Sequence, residues 1–382
     1  MLPGFAQGTT RPYTPGGMPH SILYYVSGHG YGHARRSAEV IRALRGRAPE
    51  VNVYVRTGAP AEMFHGLTAG PVRPAAIDVP VVERDPLSVD WPATLAGAAD
   101  LLRRRRVIVA QDVEAVRELA PSMVVADVPF LAGDVAAALG VPCVAVSNFT
   151  WDWIYEPHRS AHADGTAVIR GVRSSYAQTA ALLQLPFGHD TDVFPQVIPM
   201  PLVARRATRD PGDVLRHLGL DPTDRRPRVL VGMRGGVTGE TLERAAKGAA
   251  DYLFLRLDRG DDTPAAGADN VRPVRLDTTL DFSDLLGASD AAISKLGYGM
   301  IADSIAAGTR LVWPPREGFR EDEVTRAEAP RFLRMTELPA DDFRAGRWRA
   351  ALDRAMALPE PAERMPLHGA DACAALIAGR LS

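Results

Sequence analysis

From residue 21 onward, short apolar runs alternate with longer amphipathic stretches, the pattern of a parallel sheet wrapped by helices. In the first half the pattern predicts strands over residues 22–27, 51–56, 123–126, 143–147 and 181–185, the last closing the sheet. Helices are predicted over 34–45, 93–119 and 130–139. Residues 199–227, rich in Pro, Arg and Asp, read as a linker with one short helix near 212–218. The alternation then restarts, with strands over 228–232, 252–257, 290–294 and 310–313, helices over 240–248 and 298–307, and a last pair of helices after Ala340. Residues 258–270 read as a mobile polar loop.

The expected class is therefore α/β, with two doubly wound units facing across a cleft, where such sheets bind ligands at the carboxyl ends of their strands. The expected divisions are a flexible leader (1–19), a first Rossmann-like unit (20–200), the linker (201–227), a second Rossmann-like unit (228–365) and a C-terminal helix (366–382).

Composition narrows the functional classes. The 382 residues are 46% hydrophobic and 24% charged, as in an ordinary globular chain. A net charge of −2 disfavours nucleic acid as a bulk partner. No apolar run is long enough to span a bilayer, and the leader lacks the apolar segment of a signal peptide. Two cysteines, Cys143 and Cys373, suit a reducing compartment, so a cytoplasmic protein is expected. Of the 44 basic residues only Lys247 and Lys295 are lysines, so a lysine marks a place where a planar guanidinium does not serve.

Three glycine-rich turns stand at predicted strand-to-helix junctions. The first is Gly28-His29-Gly30-Tyr31-Gly32-His33. Its spacing is not that of a dinucleotide-binding turn, and the next strand ends in Arg56 rather than an acid, which disfavours an oxidoreductase. Either histidine is a candidate general base, because an unperturbed imidazole titrates near neutrality. The second turn, residues 232–239, lacks the Lys-Ser/Thr ending of a P-loop. The third, Ser294-Lys295-Leu296-Gly297-Tyr298-Gly299, sets a lysine at a helix start, where amides and ammonium together attract a diphosphate. A tight turn without ligand is the plain alternative at the first, and a lysine on a loop in water at the third.

The run Tyr24-Tyr25-Val26-Ser27-Gly28-His29-Gly30-Tyr31-Gly32-His33-Ala34 closely resembles the opening of the glycosyltransferase-like domain fused to plant arabinokinases. The likeness continues through Asp85-Pro86-Leu87-Ser88-Val89-Asp90, Val125-Ala126-Asp127-Val128-Pro129, residues 147–155 and Lys295-Leu296-Gly297-Tyr298-Gly299. More distantly the chain resembles plant small-molecule UDP-glycosyltransferases and the peptidoglycan N-acetylglucosaminyltransferase. This resemblance implies the GT-B fold and a glycosyltransferase.

The resemblance also implies roles. His33 is the match for the base and Asp127 for the acid that orients it. The donor diphosphate falls to Arg234, Gly235, Gly236, Lys295, Gly297, Tyr298 and Gly299. Asp303 stands where these families use Glu to grip the ribose, and Glu321 and Asp322 match groups on donor-sugar hydroxyls. His29, Tyr31, Asn148, Trp151, Asp152 and Trp153 are the candidate acceptor residues, the aromatic ones because their faces stack on sugars and flat acceptors. The expected reaction moves a hexose from a UDP-sugar to a hydroxyl of a small acceptor, such as a natural product or nucleoside, with inversion and with neither metal nor cofactor. A sugar-nucleotide epimerase and a non-catalytic sugar-nucleotide-binding module are the alternatives. The sequence does not name the oligomeric state.

Overall fold

The computed structural model describes residues 20–233, 236–258, 268–277 and 279–381. Its strands, in chain order, are β1 (Ser21–Val26), β2 (Asn52–Thr57), β3 (Glu83–Asp85), β4 (Ser88–Val89), β5 (Met123–Asp127), β6 (Cys143–Ser147), β7 (Ala181–Gln184) and β8 (Val197–Pro199). After the connecting segment come β9 (Arg228–Val231), β10 (Leu253–Leu257), β11 (Val271–Val274), β12 (Ala291–Ile293), β13 (Arg310–Trp313) and β14 (Met335–Glu337).

These strands form two six-stranded sheets, ordered β2-β1-β5-β6-β7-β8 and β11-β10-β9-β12-β13-β14, and a two-stranded hairpin, β3–β4. Every pairing within the large sheets is parallel. Parallel strands covered by helices on both faces need apolar residues at every position. β1, Ser-Ile-Leu-Tyr-Tyr-Val, is accordingly buried throughout. Strand order reverses between β1 and β5 in the first sheet and between β9 and β12 in the second. Those two switch points open the crevices in which this architecture places ligands.

The two units share a core. Ile22, Tyr24 and Val26 of β1 belong to one apolar cluster with Leu296, Tyr298 and Ile301 of the second unit. The C-terminal helix Gly369–Gly379 returns to pack on helix Gly30–Arg47, so Cys373, Ala374 and Ile377 join the same cluster.

Several expectations need correction. The first sheet does not end at β7: the three-residue β8 pairs along its edge, too short to register as an apolar run and closed by proline, which an edge strand tolerates. The stretch 93–119 is not one helix. It divides into Trp91–Arg103 and Arg105–Val116 at Arg104 (φ −91°, ψ 1°), beyond which Arg105 turns to pair with Asp134. The hairpin β3–β4, the strands β11 and β14 and the helices Gly165–Tyr176 and Phe282–Gly287 were not anticipated, and three helices rather than two follow Pro339. Most of the expected loop 258–270 lies outside the described residues, as does the leader 1–19.

Candidate functional site

The first crevice is organised by Asp127. It ends β5 in register with Val26 of β1, and its carbonyl accepts the Ser27 amide at 3.1 Å. The next residue, Val128, has φ 78°, a conformation that costs a β-branched residue energy. Tyr176 donates to the Val128 carbonyl at 2.7 Å and helps hold that turn.

Beyond β1 the chain turns through Gly28, which lies close against Gly58, and Gly30 at φ 72°. The helix begins at Gly30, four residues earlier than expected, so His33 belongs to the helix's first turn and not to the loop before it. That placement aims the ring at Asp127: His33 Nδ1 lies 2.9 Å from Asp127 Oδ1. A carboxylate only accepts, so Nδ1 donates in this contact, and in the neutral form of the ring the lone pair is on Nε2.

Arg36, three residues on and on the same helix face, meets the same carboxylate. Its Nε donates to Oδ2 at 2.7 Å and its Nη2 to Oδ1 at 2.5 Å, while Ser37 Oγ donates to Oδ2 at 2.8 Å. Burial by itself would raise the Asp127 pKa, but the Arg36 guanidinium and its hydrogen bonds, with His33 adding to them, bring it down to about 2. Arg36 Nη2 also lies 3.0 Å from His33 Nδ1, because both nitrogens converge on Asp127 Oδ1, and the carboxylate rather than a bond between them holds the two side chains together. Arg36 was not among the expected residues, although the His-x-x-Arg spacing on one helix face carried the signal.

Asn148 carries the network across the cleft. Its Oδ1 accepts from Arg36 Nη1 at 2.7 Å, and its Nδ2 donates to Glu321 Oε1 at 2.9 Å. On the far side, Arg316 donates to Glu321 at 3.4 Å and grips Asp322 through Nε and Nη2. Both acids are buried and fully engaged. Arg316, preceded only by two prolines, had no distinguishing mark in the sequence. Its guanidinium also covers the Phe319 ring at 3.8 Å.

The expected acceptor residues divide. His29 sits between the edge of Trp151 (5.9 Å) and Phe319 (6.3 Å), with His33 6.3 Å away. Burial, then the charges of His33, Arg316 and Lys295, lower its pKa to about 3, so it is neutral at physiological pH. Among the described residues no carboxylate is bonded to its ring, which distinguishes it from His33. Tyr31 is half-buried in the first turn of the helix.

Trp151 is wholly buried, its Nε1 3.4 Å from the unanticipated Asp78, and Asp152 is buried against Arg173 at 3.1 Å. Neither has a face open to a ligand, because the short helix Trp151–Tyr155 turns both into the core. Trp153, on the opposite side, stacks flat on His189 at 4.4 Å and lies under Arg320 at 4.5 Å. It lines a cleft of about 560 Å³ with Gln184, His189, Arg320 and Glu323. That volume is within the range of small-molecule sites.

On the second unit, Lys295 follows β12 at the switch point, and its Nζ is paired with Glu83 Oε1 of the hairpin at 2.8 Å. Gly297 caps the next helix without a side chain, so no side chain takes up the first-turn amides. Tyr298 is buried, accepting the Val203 amide at 3.2 Å beneath the Arg36 guanidinium. Gly299 serves close packing: a Cβ there would lie 3.2 Å from the Gly32 Cα. Gly236 has φ 72° and faces Pro86. Arg234 and Gly235 lie outside the described residues. Asp303 is occupied by Arg35 at 3.1 Å and by the Arg205 amide at 2.9 Å, so it joins the two units instead of standing open.

Among the described residues no helix is long and apolar enough to cross a membrane. No protein-family model matches the chain. An L-arabinokinase of Arabidopsis thaliana is 27% identical over an alignment 375 residues long that covers 93% of this chain and 34% of that protein. The chain thus spans about a third of the length of that relative. Among solved structures, the glycosyltransferase SnogD from Streptomyces nogalater aligns over 95% of this chain and 100% of its own, with 20% identity and a TM-score of 0.56. Phytolacca americana UGT2, solved with UDP-2-fluoro-glucose and pterostilbene, aligns over 95% and 99% with 14% identity and a TM-score of 0.60. Arabidopsis thaliana UGT89C1, solved with quercetin, aligns over 94% of each chain with 14% identity and a TM-score of 0.58. With its two parallel sheets opening toward a shared cleft, the chain has the GT-B fold of those glycosyltransferases and is similar in sequence to part of a plant arabinokinase.

Proposed function

We propose that this protein is an inverting glycosyltransferase that moves a hexose from a UDP-sugar to a hydroxyl of a small acceptor. The His33–Asp127 pair carries the reading. With Nδ1 held by a carboxylate at a sheet's switch point, Nε2 is the ring nitrogen left to take a proton. In the proposed step, Nε2 takes the proton from the acceptor hydroxyl as its oxygen attacks the anomeric carbon. The bond from that carbon to the diphosphate oxygen breaks, and the nucleoside diphosphate departs toward Lys295 and the helix start at Gly297. General-base assistance of this kind contributes about 10²–10⁴-fold in rate. The ligands named for the solved neighbours, a UDP-sugar analogue and flat phenolic acceptors, support the same substrate classes here.

A second reading, a sugar-nucleotide-binding module without turnover, has its own support. Arg36 lies 3.0 Å from His33 Nδ1 and shares the carboxylate oxygen that would hold the base, which burdens catalysis without touching donor binding. Incubation with UDP-glucose and a panel of phenolic and nucleoside acceptors separates the two. Glycoside formation that vanishes in His33→Ala supports the transferase. Donor binding with no product from any acceptor favours the module, and product formed from donor alone would mean an epimerase.

A further inference from the structure

The hairpin β3–β4 leaves the first unit and ends against the second. Its tip residue Leu87 is buried in the apolar cluster of Val229, Val231, Ile293 and Val312, from the two strands at the second switch point and the neighbouring β13. The Leu87 carbonyl accepts the Glu317 amide at 2.8 Å. Pro86 lies so close to Gly236 that a Cβ there would come within 2.8 Å of the proline Cγ. The tip is thus wedged between Gly236 and the apolar face of β9, β12 and β13. Glu83, at the other end of the hairpin, is 39% exposed and places Oε1 2.8 Å from Lys295 Nζ. One of the chain's two lysines is therefore neutralised from across the cleft.

We propose that Glu83 is a built-in anion at the donor site, occupying Lys295 until a nucleoside diphosphate displaces it. The inference rests on reading Lys295 as a diphosphate residue. A phosphate oxygen bonded to the same ammonium would lie within a few ångströms of the Glu83 carboxylate, and like charges so placed repel. Carboxylate and diphosphate therefore compete for the ammonium. A half-exposed ion pair contributes little net stability, so the exchange is cheap. The anchored tip confines the movement to the Glu83 side chain, and the empty site keeps its lysine oriented without holding stray inorganic anions.

The test is titration calorimetry of UDP, with ADP and GDP in parallel, into the full chain and into Glu83→Gln, Lys295→Ala and the double variant. Glutamine preserves shape on a surface hairpin, and circular dichroism verifies the fold. Glu83→Gln should bind the preferred diphosphate about two- to fivefold tighter, the factor that a surface ion pair is worth. The gain should disappear in the Lys295→Ala background. Wild-type binding that is unchanged or weakened in Glu83→Gln overturns the role of Glu83 and leaves the donor site standing. Binding of no diphosphate by either protein overturns both.

Discussion

Arg36 grips both oxygens of Asp127, at 2.7 and 2.5 Å, from one helical turn beyond the histidine that Asp127 orients. The carboxylate therefore has two tasks: it holds the His33 ring, and it neutralises a guanidinium buried to 5% exposure. The consequences of losing each partner differ.

Replacing His33 by Ala removes the base but leaves the Arg36–Asp127 pair intact. Turnover should fall at least about 100-fold. The donor Kd, measured by calorimetry, should stay within about twofold of wild type, because the base acts on the acceptor. A parallel loss of donor affinity would count against this role.

Asp127→Asn should cost stability as well as activity. It leaves Arg36 buried without its anion, and breaking a buried pair costs about 3–5 kcal/mol. Urea denaturation should register the loss, and Arg36→Met in the same chain should recover part of it. If Asp127→Asn unfolds at the wild-type midpoint, Arg36 is not anchored as described.

The same pair sets an acid limit. The Asp127 pKa is lower in the folded protein, about 2, than in the unfolded chain, about 4. Between those values the unfolded state binds more protons, so stability should be lost as pH falls from about 4 to 2 and be fully present above that window. Unfolding free energies of Arg36→Met/Asp127→Asn should depend less on pH there than those of the wild type.

Gly32 and Gly299 should respond unequally to alanine. A Cβ on Gly299 would press on the Gly32 Cα at 3.2 Å, backbone in a packed helix with little room to yield. The expected cost is about 1–3 kcal/mol. A Cβ on Gly32 would meet Gly299 no closer than 3.9 Å, an ordinary contact, so Gly32→Ala should be tolerated. Equal melting losses in the two variants would mean the helices are further apart.

If a single displacement operates, an α-linked donor should yield a β-glycoside, because one attack from the face opposite the diphosphate inverts the anomeric carbon. NMR coupling constants of the product decide it, and an α product would exclude the His33 mechanism. Excess chelator should leave the rate unchanged. Inhibition reversed by magnesium or manganese would assign the leaving group to a metal.

The strand-and-helix alternation was legible from residue order because parallel strands buried on both faces leave unbroken apolar runs; β6, the helix Tyr298–Ala307 and β13 fall where the pattern puts them. The contact of His33 with Asp127, expected from the family resemblance, measures 2.9 Å in the structure. Short edge strands such as β8 and β14 left no such trace, since three residues carry too little periodicity to read.

Sequence alone therefore determined the class of fold and the positions of the strand-end turns, which follow from local patterning of apolar residues and glycines. Only the tertiary structure decided who meets whom across the cleft. Arg36 and Arg316 are two arginines among many until folding sets each against a particular acid, and Asn148 links them only because both units present it with partners. The tryptophans of residues 151–155 look equivalent in sequence, yet helix geometry buries Trp151 and turns Trp153 to the cleft. Gly299 and Asp303, expected at a nucleotide, also meet Gly32 and Arg35. Contacts between residues hundreds of positions apart depend on how two cores dock, and no local period encodes that.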